Sequence, residues 1–115
     1  MLGLLKNCVP ESYEQEARVR GISIHQLLSE KLSSYKAGAS GLLALDWFNG
    51  VRTPLMDFNL NGLIMGMNLL TKPEEIYLSL IEATAYGTRM IIEGFEEAGL
   101  EVKDITLSGG IPIKN

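Results

Sequence analysis

Residues 72–98 read KPEEIYLSLIEATAYGTRMIIEGFEEA, the longest stretch of the chain that holds one period. Ile76, Leu80, Ala83, Gly87, Met90 and Phe95 recur at helical spacing, and Leu78, Ile81, Ala85 and Ile92 cover a second flank. Thr71 and Glu74 have the spacing of a capping box. Pro73 falls in the first turn, where its missing N–H is harmless, and Gly99 supplies a stop. At ~1.5 Å per residue the predicted helix spans roughly 40 Å. A helix apolar around most of its girth needs neighbours on both sides. The expectation is that most of those neighbours come from outside this sequence.

Toward the N-terminus, Gly62 and Gly66 bracket a weak strand over Leu63 to Met67. Before it lies a loop from Phe48 to Asn61, punctuated by Asn49-Gly50, Pro54 and Asp57. Leu42 to Trp47, LLALDW, is a short apolar run that predicts a buried strand. Two helices are predicted ahead of it. Glu11 to Arg20 is opened by Pro10 and closed by Gly21. Ile24 to about Lys36 is opened by the Ser23/Gln26 capping box and stopped by Gly38. Beyond the long helix, Asp104 to Leu107 reads as a strand running into Ser108-Gly109-Gly110. The order helix, helix, strand, loop, strand, long helix, strand predicts an α/β layered fold, helices on a mixed sheet. A stop just after a strand and a glycine turn reads as truncation.

Composition narrows the field of partners. Hydrophobic residues make up 46% of the 115 residues and charged residues 21%, an ordinary globular balance. The net charge of −4 offers no electrostatic footprint for nucleic acid or an anionic membrane surface. One cysteine, Cys8, cannot close an internal disulfide, which fits a reducing compartment. The opening MLGLLKNCVPE lacks the basic segment of a signal peptide, and no apolar run reaches ~18 residues. The expectation is a soluble, cytoplasmic chain without a nucleic-acid or membrane partner.

Three segments, in order, resemble the FGGY carbohydrate kinase family. GASGLLALDWFNGVRTP, Gly38 to Pro54, is similar to the family's strand followed by a G-x-R-T-P loop. Gly62, Ile64, Gly66 and Met67, then after a seven-residue gap Glu75, Ile76, Ser79, Ile81 and Glu82, follow its C-terminal signature. Leu80 departs from it, being bulkier than the usual occupant. ITLSGGIPIKN, Ile105 to Asn115, is similar to the strand and Gly-Gly turn that hold adenosine in the actin-like superfamily. LDWFNG (45–50) and IEATAYGTRMIIE (81–93) resemble the ribulokinase branch more than the xylulokinase or glycerol kinase branches.

The resemblance implies a partial actin-like, ribonuclease H-like ATPase lobe. Residues 1–115 would form part of the C-terminal, ATP-binding domain, with the N-terminal sugar-binding domain absent. It implies an ATP-dependent, Mg²⁺-assisted kinase acting on a ketose such as L-ribulose, with the catalytic aspartate in the other lobe. Alternatives are a xylulokinase- or glycerol kinase-like member, or a non-catalytic actin-like interaction module. Gly109, Gly110 and Asn115 are the expected nucleotide contacts, since glycine permits close backbone approach to a phosphorylated nucleoside. No catalytic residue and no metal ligand are expected within the chain, and its apolar flanks predict a homo-oligomer.

The remaining polar residues have quieter readings. Glu82, a carboxylate on a mostly apolar helix, is expected to accept a structural hydrogen bond from backbone; the alternative is an anchor for the cleft-lining loop. Asp46 invites a catalytic-base reading that the resemblance disfavours. Arg52 is expected in a loop-anchoring ion pair. His25 is expected on an exposed polar face with no metal-ligand spacing, and Cys8 has no activating neighbour.

Overall fold

The computed structural model describes Leu4 and residues 7–108. Helix α1, Glu11–Arg20, ends as its sequence predicts. Gly21 takes φ 65°, its N–H reaches the Arg18 carbonyl at 3.1 Å, and the Ile22 N–H reaches that of Ala17 at 3.0 Å. This left-handed turn satisfies two carbonyls that the helix end would otherwise orphan. Helix α2, Ile24–Lys31, starts where Ser23 Oγ accepts from the Gln26 N–H at 3.1 Å. It stops earlier than the predicted Lys36. Ser33 and Ser34 are weak helix formers, and the chain folds into a turn closed by Tyr35 N–H to the Leu32 carbonyl, 2.8 Å. Lys31–Glu16 at 3.0 Å and Arg20–Glu30 at 2.6 Å tie α1 to α2.

The predicted strand 42–47 shrinks to β1, Leu43–Leu45, and the next to β2, Leu63–Met65. The two pair antiparallel, Leu43 opposite Met65, Ala44 opposite Ile64 and Leu45 opposite Leu63. Ala44 and Ile64 face the core. Leu43, Leu45, Leu63 and Met65 form the opposite, exposed face, so β1 is not the buried strand its run of apolar residues predicts. Period two imposes this result: in a two-stranded ribbon only one face can be covered by the elements at hand.

Helix α3, Pro73–Glu97, is the spine. Gly99, at φ 84°, terminates it as predicted: its N–H reaches the Glu96 carbonyl at 2.9 Å, and the Leu100 N–H reaches that of Phe95 at 2.9 Å. The start differs by one residue from expectation. Lys72 N–H donates to Glu75 Oε2 at 2.8 Å, while Thr71 Oγ1 accepts from the Asn68 N–H at 2.8 Å. Glu74 is occupied elsewhere. Residues 100–108 carry no regular structure, so the strand expected over Asp104 to Leu107 is absent. The strand–helix–strand order is therefore replaced, among the described residues, by a hairpin followed by a helix.

The core is small. Leu28, Tyr77 and Leu80 are its buried centre, packed by Tyr13, Ile24, Ala44, Phe48, Ile64 and Ile76 among others. Every buried residue of α3, from Glu74 to Ala83, lies in the first part of the helix.

Candidate functional site

The signature residues fall where hairpin, helix and preceding loop meet, and their geometry is structural. A Cβ on Gly62 would lie 2.4 Å from the Phe48 ring, so only glycine lets that ring pack over β2's lead-in. Ile64 and Ile76 pack on the core, and Glu75 caps the helix. Ser79, fully buried, satisfies its hydroxyl by donating to the Ile76 carbonyl at 2.8 Å. Glu82 Oε1 accepts from the Gly38 N–H at 2.6 Å, fastening the segment that leads into β1 to the helix. That is the backbone bond expected for it. Leu80, the departure from the signature, is completely buried and fills the core.

Two long-range links were not legible in the sequence. Tyr13 on α1 donates its hydroxyl to Glu74 Oε2 at 2.8 Å, joining residues 61 apart. Burial, then the hydrogen bond and charge of Glu74, then the charge of Glu16, push the Tyr13 hydroxyl up to about 12. Lys31 Nζ sits 4.9 Å from the centre of the Tyr13 ring. Thr84 Oγ1 lies 3.3 Å from Asp46 Oδ2 and 3.1 Å from the Leu80 carbonyl, so Asp46 is an anchor between loop and helix. No local pattern announces either link, because each pairs elements distant in sequence.

Between the loop after β1 and the second part of α3 lies an open cleft of about 370 Å³. Asp46, Trp47, Arg52 and Thr53 line one wall, and Thr84, Gly87, Thr88 and Ile91 the other. The loop is closed by Val51 N–H to the Asp57 carbonyl and Met56 N–H to the Arg52 carbonyl, both 2.8 Å. Arg52 is exposed and, among the described residues, makes no ion pair, contrary to the anchoring role expected of it. The loop is held instead by backbone bonds. His25 also departs from expectation: it is half-buried, its ring 5.9 Å from that of Tyr77, and its Nδ1 has no partner among the described residues. Cys8 is exposed. Among the described residues no group of three or more His, Cys, Asp or Glu could hold a metal ion, and no helix is long and apolar enough to cross a membrane. The expected nucleotide contacts Gly109, Gly110 and Asn115 lie outside the described residues.

This helix-and-hairpin arrangement has known counterparts. Residues 4–115 match the C-terminal domain of the FGGY family of carbohydrate kinases. The chain belongs to that family. Among curated proteins it is 54% identical to a ribulokinase of Bacillus licheniformis over 97% of its own length and 20% of the relative's. It is 50% identical to a ribulokinase of Shouchella clausii, with the same coverage of each chain. It thus spans about one fifth of the length of these relatives. Among solved structures it superimposes on a xyloylose kinase from Brucella ovis with TM-score 0.67 at 23% identity, covering 90% of this chain and 21% of that one. A xylulose kinase from Bifidobacterium adolescentis gives TM-score 0.66 at 24% identity, covering 84% and 19%. The fold is that of part of these two kinases.

Proposed function

We propose that the chain forms part of the C-terminal, ATP-binding lobe of a cytoplasmic kinase that converts L-ribulose to L-ribulose 5-phosphate in arabinose catabolism. The observation that carries this reading is 54% identity to a ribulokinase across 97% of the chain. The N-terminal, sugar-binding domain belongs to the remainder of the parent polypeptide, together with the base that accepts the proton of the attacked sugar hydroxyl. The γ-phosphoryl group passes from ATP to that hydroxyl and ADP leaves, so the protein's task is positioning and charge stabilisation. Mg²⁺ would neutralise phosphate charge.

Within this scheme the chain's own residues build a platform. Glu82 fastens Gly38, Asp46 and Thr84 fix the loop after β1 against α3, and Tyr13 with Glu74 locks α1 to the helix start. Gly109, Gly110 and Asn115 are proposed to receive the adenosine. The working protein is proposed to be a homo-oligomer.

The test is the whole reading frame that encodes this chain, assayed for ATP-dependent phosphorylation of L-ribulose, xylulose and glycerol. Preferential turnover of L-ribulose is expected, with Gly110→Val raising KM for ATP at least tenfold. Turnover of xylulose or glycerol in preference to L-ribulose would overturn the substrate. The isolated 115-residue chain is expected to phosphorylate none of the three.

A further inference from the structure

Asn-Gly occurs twice in the chain, as Asn49-Gly50 and Asn61-Gly62, at the two ends of the segment that links β1 to β2. The dipeptide is chemically labile, because the backbone nitrogen that follows asparagine can attack the side-chain amide carbon. Glycine, with no Cβ, leaves that approach open. Packing fixes both glycines. A Cβ on Gly50, where φ is 72°, would lie 2.5 Å from the Phe58 Cα, and one on Gly62 would lie 2.4 Å from the Phe48 ring. Both asparagines are exposed. In sequence the two sites look alike, each flanked by bulky apolar residues, Phe48 and Val51 around one, Leu60 and Leu63 around the other. The structure separates them. Gly50 N–H donates to the Trp47 carbonyl at 3.1 Å and closes a turn over 47–50, and Val51 N–H holds the next residue to the Asp57 carbonyl at 2.8 Å. For the Gly50 nitrogen to reach the Asn49 side chain, that turn must open. Gly62 lies just outside β2, and its N–H donates to no backbone acceptor among the described residues.

We infer that Asn61 is a site of spontaneous deamidation in the folded protein, and that the turn over 47–50 protects Asn49. The Gly62 nitrogen loses its proton to solvent and attacks Asn61 Cγ. A new C–N bond forms, the bond to the side-chain nitrogen breaks, and ammonia leaves a cyclic succinimide behind. Water then opens the ring, to aspartate by cleavage on the side-chain carbonyl or to isoaspartate by cleavage on the main-chain carbonyl. Water is the sole co-reactant, and nothing is oxidised or reduced. Either product places a new carboxylate at the entry to β2. Isoaspartate also inserts a methylene into the main chain directly before Gly62. Gly62 already touches the limit of approach to the Phe48 ring, and Phe48 packs on the core. A longer main chain at that point pushes the ring from its seat.

The test is peptide mapping by mass spectrometry of the whole polypeptide that contains this chain, aged in mildly alkaline buffer with and without denaturant. In the folded protein Asn61 is expected to convert at least about fivefold faster than Asn49, the factor that one backbone hydrogen bond supplies. In denaturant the two rates are expected to converge. Folded protein whose Asn61 has converted is expected to melt about 2 °C or more below fresh protein. Asn61→Gln is expected to age without that fall and to leave conversion at Asn49 unchanged. Equal rates in the folded state, or faster conversion at Asn49, would overturn the inference. An Asn61 that stays intact when folded and converts only in denaturant would overturn it too, since it would then be shielded by segments outside residues 1–115. A gap between the two sites that persists in denaturant would assign the difference to neighbouring residues instead of the fold. Kinase activity enters none of these readouts, so failure here leaves the proposed function standing, and the reverse also holds.

Discussion

The two parts of α3 share one helix and one periodicity but live in different surroundings. Residues 73–83 place Tyr77, Ser79, Leu80 and Ala83 in the core and satisfy three carboxylates, Glu74 with Tyr13, Glu75 with the Lys72 N–H and Glu82 with the Gly38 N–H. Residues 84–97 have comparable apolar content, yet Tyr86, Met90 and Phe95 stand exposed. The contrast teaches that amphipathic spacing specifies which face will be buried, whereas the burial itself depends on what arrives to cover it. Hydrophobic stabilisation follows area removed from water, at ~25 cal/mol per Å², and the second part removes little.

Substitutions along the helix can break or sharpen that contrast. Leu80→Ala in the first part should be the most damaging, costing about 2–5 kcal/mol, since it opens a cavity beside Leu28 and Tyr77. Denaturant titration of the chain measures it, and a cost below about 1 kcal/mol would mean the two parts are equally loose. Tyr13→Phe should cost about 1–3 kcal/mol, because it leaves a buried oxygen of Glu74 without its donor. The same pair has a pH signature. The folded state holds the Tyr13 proton to about 12 against 10.0 for a free tyrosine. Its stabilising contribution is therefore complete below pH 10.0 and is lost as pH rises toward 12. Ultraviolet titration should show a tyrosine that ionises only near pH 12, and Tyr13→Phe should remove that step.

Glu82→Ala should cost about 1 kcal/mol and speed exchange of the Gly38 amide, which loses its acceptor. No change at Gly38 would mean the helix does not hold the segment leading into β1. Met90→Ala, in the second part, should change the stability of the isolated chain by less than about 0.5 kcal/mol. A large loss there would show that residues 84–97 are already covered, and the contrast between the two parts would disappear.

Much of this layout was legible in the sequence where the cause is local. Gly21, Ser23 and Gly99 mark helix ends through dihedral freedom and a side-chain cap, and all three behave in the structure as those rules require, while Pro10 sits just before the first helical residue. The misreadings share a different origin. Thr71 and Glu74 have the right spacing for a cap, but Tyr13 claims Glu74, and it is Glu75 that accepts from the Lys72 N–H. The run LLALDW looks buried on both faces, but among the described residues β1 has one sheet partner, and Leu43 and Leu45 face outward. Residues 104–107 have strand-like composition without a described strand beside them, and a strand needs a ladder partner to exist.

The cleft was the least legible feature. Asp46 and Arg52 attracted separate readings in the sequence, as possible base and ion-pair member, and Gly87 stood only as one periodic position of the long helix. Only the antiparallel return of the hairpin onto α3 puts them around one opening.

By itself the sequence determined the elements that depend on neighbours within a few residues: the helices, their caps, the turn glycines and the family signature. Tertiary structure alone decided which carboxylate caps which amide, which face of the hairpin is covered, and where the spine of the fold runs out of partners. The physical reason is range. Propensity and capping act within about one helical turn, whereas burial and long-range hydrogen bonds exist only once distant segments have been brought together.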